Sequence, residues 1–160
     1  MLIRATKNVM DKINKTKFDC SEEQFNLPLN EWYVNHFQLH KKGFFIFTES
    51  KSLFSIINES IGIKNVEIFK DLVENIIRQF ERENDLVANS IDTKTIEIIK
   101  TNNRSILGSQ NELIRMAECI NYYEDSYENL WKINETPMMY TKSFPINDIK
   151  IEIERRRRSF

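Results

Sequence analysis

The sequence of 160 residues is poor in the residue types that build the commonest catalytic and cofactor sites. It has only three glycines, two cysteines and two histidines. Phosphate-binding loops, dinucleotide-binding loops and nucleophile elbows need glycine for close backbone approach, and none of their motifs is present. Cys20 and Cys119 lie too far apart in sequence to form a zinc signature, so we expect two reduced thiols. The sequence therefore predicts no bound metal and no cofactor.

Long apolar segments are also absent. No run of residues approaches the ~18 apolar positions of a membrane-spanning helix. The stretch MLIRATKNVMDKINK lacks the apolar core of roughly 7–15 residues that a secretion signal carries. We therefore expect a cytoplasmic protein without a membrane partner. Heavy use of Ile, Asn and Lys indicates an AT-rich genome, which favours a bacterial or mobile-element source.

The overall composition is that of a globular domain with an uneven charge distribution. Hydrophobic residues make up 41% and charged residues 29%, and eleven phenylalanines supply large side chains for a core. The formal net charge is −1, although Arg155–Arg158 are four consecutive arginines. Removing these four from the 23 basic residues leaves 19 against 24 acidic ones, so the rest of the chain is acidic. A nucleic-acid partner is therefore only weakly supported.

The arginine run sets the predicted domain organisation. We predict one domain over residues 1–154, followed by a basic C-terminal tail over residues 155–160. A terminal basic cluster is more often a solvated, mobile end than a phosphate-binding element. Whether this tail has a function stays open at this point.

The spacing of apolar residues predicts a mixture of strands and helices. Alternating, β-branched or aromatic stretches predict strands at 2–5, 31–40, 43–48, 93–101 and 149–153. Apolar steps of three and four predict helices after Thr6 and at 65–83, 84–91, 109–123 and 127–133. Residues 53–58 fit either a strand or a helical turn, and Gly43 is available for the positive φ of a hairpin turn. This order predicts a single α+β domain, with a mainly antiparallel sheet and helices packed on it.

His36 and His40 have the spacing of a metal-binding pair on a helix. They fall, however, in a predicted strand, where four residues span ~13 Å. That separation is too large for one ion held ~2.1 Å from each nitrogen. We therefore expect these histidines to lie at the surface or at the edge of the hairpin.

The stretch IKTNNRSILGSQNEL, residues 99–113, is the strongest candidate for a site. Ser109 and Glu112 fit a capping box, which would begin a helix at Ser109 and leave a polar loop before it. A helix start offers unpaired amides and a partial positive charge, which suit an anion. The predicted ligand-binding residues are Asn102, Asn103, Arg104, Ser105, Ser109 and Asn111.

Two other interpretations of the same stretch stay open. The residues can form a capped connection with no ligand, because capping alone accounts for Ser109 and Glu112. A helix start at Ser105 is also possible, and it would place Gly108 inside the helix and remove most of the loop.

Four segments together resemble a family of small bacterial domains of unknown function. They are MLIRATKNVMDKI, WYVNHFQLHKKGFFIFTESKSLFSI, KTNNRSILGSQNEL and INETPM, in this order along nearly the whole chain. The resemblance implies a self-standing prokaryotic domain and carries over no established activity, cofactor or catalytic residue. It places Arg104, Ser105, Gly108, Ser109 and Asn111 on the family's signature segment, and it does not include the arginine run.

The functional hypothesis is a small binding or regulatory module that recognises a phosphate-bearing ligand or partner at residues 102–111. One alternative is an enzyme acting on a nucleotide or nucleic acid, with Arg104 as electrostatic stabiliser and Glu112 as base. A second alternative is a protein-binding homodimer, which predicts exposed aromatic residues such as Trp32 and Trp131 in one apolar patch. Catalytic residues are not identifiable from the sequence.

Overall fold

A computed structural model describes residues 1–15, 29–101, 103–124, 127–138 and 143–158. Its strands are β1 Leu2–Ala5, β2 Glu31–Leu39, β3 Lys42–Glu49, β4 Ser55–Glu59 and β5 Glu97–Lys100. Its α-helices are α1 Lys7–Lys12, α2 Val66–Glu83, α3 Arg104–Glu124 and α4 Pro145–Arg157, and a 3₁₀ helix covers Leu130–Glu135. The α+β fold predicted from the sequence is confirmed, and the undecided segment 53–58 contains most of β4.

The five strands form one mixed sheet in the order β4-β3-β2-β1-β5. The longest ladders are antiparallel and join β2 to β3 and β3 to β4, whereas β1 runs parallel to both of its neighbours. The β2–β3 turn takes its positive φ values at His40 and Lys41. Gly43 lies inside β3, where an added Cβ would come within 2.5 Å of Ser60 Oγ. The expectation that Gly43 supplies the turn is therefore wrong, and its role is to allow close approach.

Each face of the sheet carries its own apolar core. On one face, Ile3, Trp32 and Phe45 pack with residues of α1, α2 and α4. The apolar stripe predicted for the long helix is the side of α2 that faces this core. On the other face, Tyr33 and Ile46 pack with residues of α3 and of the 3₁₀ helix. The sheet is thus covered by helices on both faces.

Residues 84–91 do not form the helix predicted for them. They form a loop in which Asp85 and Asn89 take positive φ. The buried Glu81 carboxylate fixes this loop by accepting hydrogen bonds from Asn89 N at 3.1 Å, Ser90 Oγ at 3.1 Å and Ile91 N at 2.8 Å. These three bonds replace the backbone bonds that a helix would have made.

The strand predicted at residues 149–153 is also wrong, because these residues belong to α4. Pro145 lies in the first turn of α4, where its fixed φ and missing N–H are tolerated. Ile149 and Ile153 are one helical turn apart and pack into the core, whereas Ile151 is 52% exposed. An alternating pattern of apolar residues therefore also provides the i, i+4 pair that buries one side of a helix.

The arginine run continues α4, and its members differ in environment. Arg156 is buried and donates a hydrogen bond to the Ser90 carbonyl, and Arg157 Nη2 donates to the Asn84 carbonyl at 2.8 Å. Burial lowers the pKa of Arg156, and the negative charge of Glu81 opposes that shift. The expectation of a solvated end is wrong for Arg156, while the division of the chain at residue 154 stays a prediction.

Replacing Arg156 by methionine should lower the free energy of unfolding by about 2 kcal/mol or more. The change removes a buried charged donor and leaves the Ser90 carbonyl and the Glu81 carboxylate without it. Arg158→Met is the matched control, because the Arg158 side chain is 82% exposed and should cost less than ~0.5 kcal/mol. Urea unfolding of both variants measures the difference, and equal effects would contradict the assigned role of Arg156.

Candidate functional site

The predicted site lies where two neighbouring parallel strands end. Ala5 of β1 is paired with Lys100 of β5, and Thr101 N donates to the Ala5 carbonyl at 2.9 Å. Each strand leads directly into a helix, with α1 packed on one face of the sheet and α3 on the other. Ligands of open α/β sheets bind at such a point, outside the carboxyl ends of strands whose connections diverge.

Helix α3 begins at Arg104, five residues before the predicted capping box. Asn103 Oδ1 accepts hydrogen bonds from Ser105 N at 3.1 Å and Ile106 N at 3.2 Å, as an N-cap residue does. The predicted start at Ser109 is therefore wrong, and the alternative start at Ser105 is within one residue. The earlier start is favoured because it buries Ile106 against the core.

Asn103 also links the start of α3 to the sheet. Its Nδ2 lies 3.5 Å from the Tyr33 hydroxyl of β2. Because its side chain already caps two amides, Asn103 acts as a positioning residue for the start of α3. Asn102 lies outside the described residues.

The other predicted site residues separate into exposed and buried groups. Arg104 and Ser105 are exposed in the first turn of α3, and Asn111 is exposed two turns further along. Ser109 is only 6% exposed, so it does not belong to a surface site. The structure therefore brings together Arg104 and Ser105, next to Asn103, and it leaves Ser109 out.

Gly108 lies on the same exposed side of α3, one turn after Arg104. A Cβ added at Gly108 would meet no atom within 4 Å, so packing within the described structure does not require glycine there. Asn111 and Arg115 continue this side at helical steps of three and four. The helix surface next to Arg104 therefore has no side chain at Gly108 and is accessible from outside.

The charged residues in the two segments that span the ends of β1 and β5 are all basic. Residues 4–10 and 98–111 contain Arg4, Lys7, Lys100 and Arg104 but no aspartate or glutamate. Arg4 forms an ion pair with Glu31. The residues Lys7, Lys100 and Arg104 are exposed. Lys7 and Lys100 were not among the residues predicted from the sequence. Lys100 is only four residues before Arg104, whereas Lys7 is brought to this end of the sheet by the parallel pairing of β1 with β5.

Polar side chains join the end of β1 to β2, which runs on for five residues beyond its last pair with β1. Thr6 Oγ1 lies 3.0 Å from Asn35 Oδ1, which also accepts His36 N at 2.9 Å. His36 Nε2 lies 3.0 Å from Ser60 Oγ. Burial, and to a smaller extent the positive charge of Lys12, lower the pKa of His36.

The structure contains other features that bear on metals, cavities and membranes. Within the described residues, no three His, Cys, Asp or Glu side chains are grouped to hold a metal ion. Cys119 is exposed on α3, and Cys20 lies outside the described residues. Three pockets of about 170, 220 and 230 Å³ lie elsewhere, and residues 103–111 line none of the three. None of the described helices is both long and apolar enough to cross a membrane.

Replacing Gly108 by alanine should raise the free energy of unfolding by about 0.5–1 kcal/mol, because alanine loses less backbone entropy in a helix. Gly62→Ala is the matched control, since Gly62 has equally open space but a φ of +78° that alanine adopts only with strain. Thermal unfolding should therefore move in opposite directions for the two variants. A loss of stability in Gly108→Ala would show that glycine is needed there for packing.

Acidification should remove a stabilising contribution of His36. Its pKa is lowered in the folded state, so the unfolded state takes up a proton first as the pH falls below about 6.5. The stability of the native protein should therefore fall relative to that of His36→Gln as the pH drops from about 8 to about 5. Paired urea titrations measure this difference, and a constant gap would contradict it.

The chain was compared with protein families, with curated proteins and with solved structures. A family model described as Domain of unknown function (DUF6933) matches residues 2–147, which includes every strand and the first three helices. The searches of curated proteins and of solved structures gave no match. The match confirms the resemblance to a family of domains of unknown function, and the chain belongs to the DUF6933 family.

Proposed function

We propose that the protein is a binding module that recognises a phosphate-bearing ligand at the carboxyl ends of β1 and β5. The observation that carries this proposal is that Lys7, Lys100 and Arg104 all lie within four residues of Ala5 and Lys100, the last pair of the β1–β5 ladder. Residues 4–10 and 98–111 contain no acidic residue. A chain of net charge −1 has no general excess of basic residues, so this local excess is a specific feature.

The first turn of α3 supplies the main contact in this proposal. Asn103 caps Ser105 N and Ile106 N, so the ligand is held less by free amides than by side chains. Arg104 offers a planar guanidinium that matches two phosphate oxygens, and Ser105 offers a hydroxyl one residue later. The dipole of this 21-residue helix adds a favourable potential at the same end. Because the groups are exposed, binding should weaken as salt concentration rises.

The geometry supports binding more than catalysis. Glu112, the base considered for an enzyme, is eight residues after Arg104, which is about 12 Å along the helix. In the described part of the chain, Arg104 forms no ion pair with a carboxylate that could act beside it. Of the two aromatic residues named for a homodimer patch, Trp32 is buried in the core and Trp131 is exposed. A regulatory role in a bacterial cytoplasm is part of the proposal and is supported by composition alone.

Replacing Arg104 by alanine should weaken binding of the best ligand about tenfold, because a charge-assisted hydrogen bond contributes ~1.5 kcal/mol or more. The ligand is found by measuring thermal shifts with inorganic phosphate, nucleoside phosphates and short oligonucleotides. Titration calorimetry then compares the native protein with the variant.

Arg115→Ala is the matched control for this experiment. Arg115 is exposed on the same helix, 11 residues after Arg104, or about 16 Å away. The Arg115→Ala variant should bind the ligand with the same affinity as the native protein. The proposal is wrong if no compound in the panel raises the melting temperature, or if both alanine variants weaken binding equally.

A further inference from the structure

Strand β4 is the outermost strand at the side of the sheet opposite β5. Its register with β3 determines which backbone groups point away from the sheet. Glu49 N donates to the Phe54 carbonyl at 2.9 Å and Ser60 N to the Gly43 carbonyl at 2.8 Å, so even-numbered residues from Phe54 to Ser60 bond to β3. The backbone N–H and C=O groups of Ser55, Ile57 and Glu59 therefore point outward.

Ser55, the first of these outward-facing residues, already bonds to a side chain that makes the hydrogen bonds of a neighbouring strand. Asn134 Oδ1 accepts from Ser55 N at 2.7 Å, and Asn134 Nδ2 donates to the Ser55 carbonyl at 2.9 Å. A residue of an added antiparallel strand would make the same pair of bonds. Among the residues that the structure describes, the 3₁₀ helix thus covers the edge of β4 at Ser55 alone.

The next two outward residues continue the same edge. Within the described residues, no hydrogen bond reaches the outward backbone groups of Ile57 or Glu59. Ile57 is partly exposed and Glu59 is exposed, so an incoming chain can reach both. The carboxylate of Glu59 pairs with Lys42 at 3.6 Å, which leaves its backbone unaffected. A two-residue ladder of donors and acceptors is therefore available.

A groove runs along this edge, between β4 and α2. It has a volume of about 170 Å³, and its lining includes Ile56, Asn58, Ile76, Gln79, Phe80 and Glu83. This volume is below the ~300–1,000 Å³ of a small-molecule site, and it suits a single aliphatic side chain. Since α2 forms the far wall, a strand added to β4 would place alternate side chains in the groove.

We propose that β4 accepts an extended segment of another protein as a sixth strand of the sheet. The segment pairs its backbone with Ile57 and Glu59 and inserts an apolar side chain into the groove opposite Asn58. Basic side chains are favoured at the alternate positions, because these lie on the same face as Glu59. Main-chain hydrogen bonds thus supply affinity, and the groove and the acidic residue supply specificity.

This inference is independent of the proposed anion site. The two surfaces lie at opposite edges of a five-stranded sheet, about 19 Å apart across the strands. They also have opposite chemistry, since one is basic and the other combines backbone groups, an apolar groove and a carboxylate. Arg104→Ala should therefore leave peptide binding at β4 within about twofold of the native value.

The test uses a blocked peptide of alternating lysine and valine with the ¹⁵N-labelled full chain. Binding should shift the amide signals of Ile57 and Glu59 and protect both amides from hydrogen exchange, because each becomes a donor to the peptide. The same peptide N-methylated on its lysine amides should bind at least about tenfold more weakly, as should a peptide with glutamate in place of lysine.

Three protein variants separate the contribution of the backbone from that of the groove. Ile57→Pro removes one outward N–H and should weaken binding about tenfold or more, whereas Ile57→Ala keeps that N–H and should change binding less than about threefold. If Ile57→Pro fails to fold, Asn58→Phe fills the groove from β4 and should weaken binding to a similar degree.

Three results would overturn the proposal. The first is binding that does not respond to N-methylation, which would indicate charge attraction alone. The second is amide shifts at residues other than those of β4 and the groove. The third is concentration-dependent protection of Ile57 and Glu59 without peptide, which would identify a second copy of the chain as the occupant.

Discussion

The two parallel ladders of β1 are the constraint on which the rest of the sheet depends. This four-residue strand bonds to β2 on one side and to β5 on the other. Parallel neighbours need crossover connections, so α1 must cover one face between β1 and β2. Because β5 joins from a distant part of the sequence, its own helix is free to cover the other face. The diverging helices and the basic strand ends both follow from this pairing.

Local sequence patterns correctly predicted those elements whose apolar spacing is compatible with only one type of secondary structure. The helix at 65–83 and the hairpin at 31–48 were predicted within a few residues, because their apolar spacing fits only one period. Residues 149–153 and the start of α3 were mispredicted, because both sequences allow two local solutions. Tertiary packing selected between the two solutions in each case. The helix α4 buries Ile149 and Ile153, and the earlier start of α3 buries Ile106.

The candidate site was predictable to a similar extent. Arg104 and Ser105 followed from the polar stretch before an apolar helix, and both are exposed as a site requires. Ser109, also predicted as a site residue, is only 6% exposed. A capping-box motif gives no information about which side of the helix is buried. Lys7 could not be found, since its position near this segment depends on long-range strand pairing that no local pattern encodes. Lys100 lies within the stretch 99–113 but was not selected.

The two edges of the sheet differ in a way that supports a partner at β4 rather than at β5. At the β5 edge, Ile98 is 2% exposed, and its carbonyl accepts a hydrogen bond from Lys15 Nζ at 2.5 Å. A buried edge with a lysine on its carbonyl is protected against pairing with another chain. At the β4 edge, Asn134 gives such protection to Ser55 but not to Ile57. Unprotected edges favour aggregation, so proteins usually cover or interrupt them. An uncovered edge beside an apolar groove is therefore better explained as the docking site of a specific partner strand.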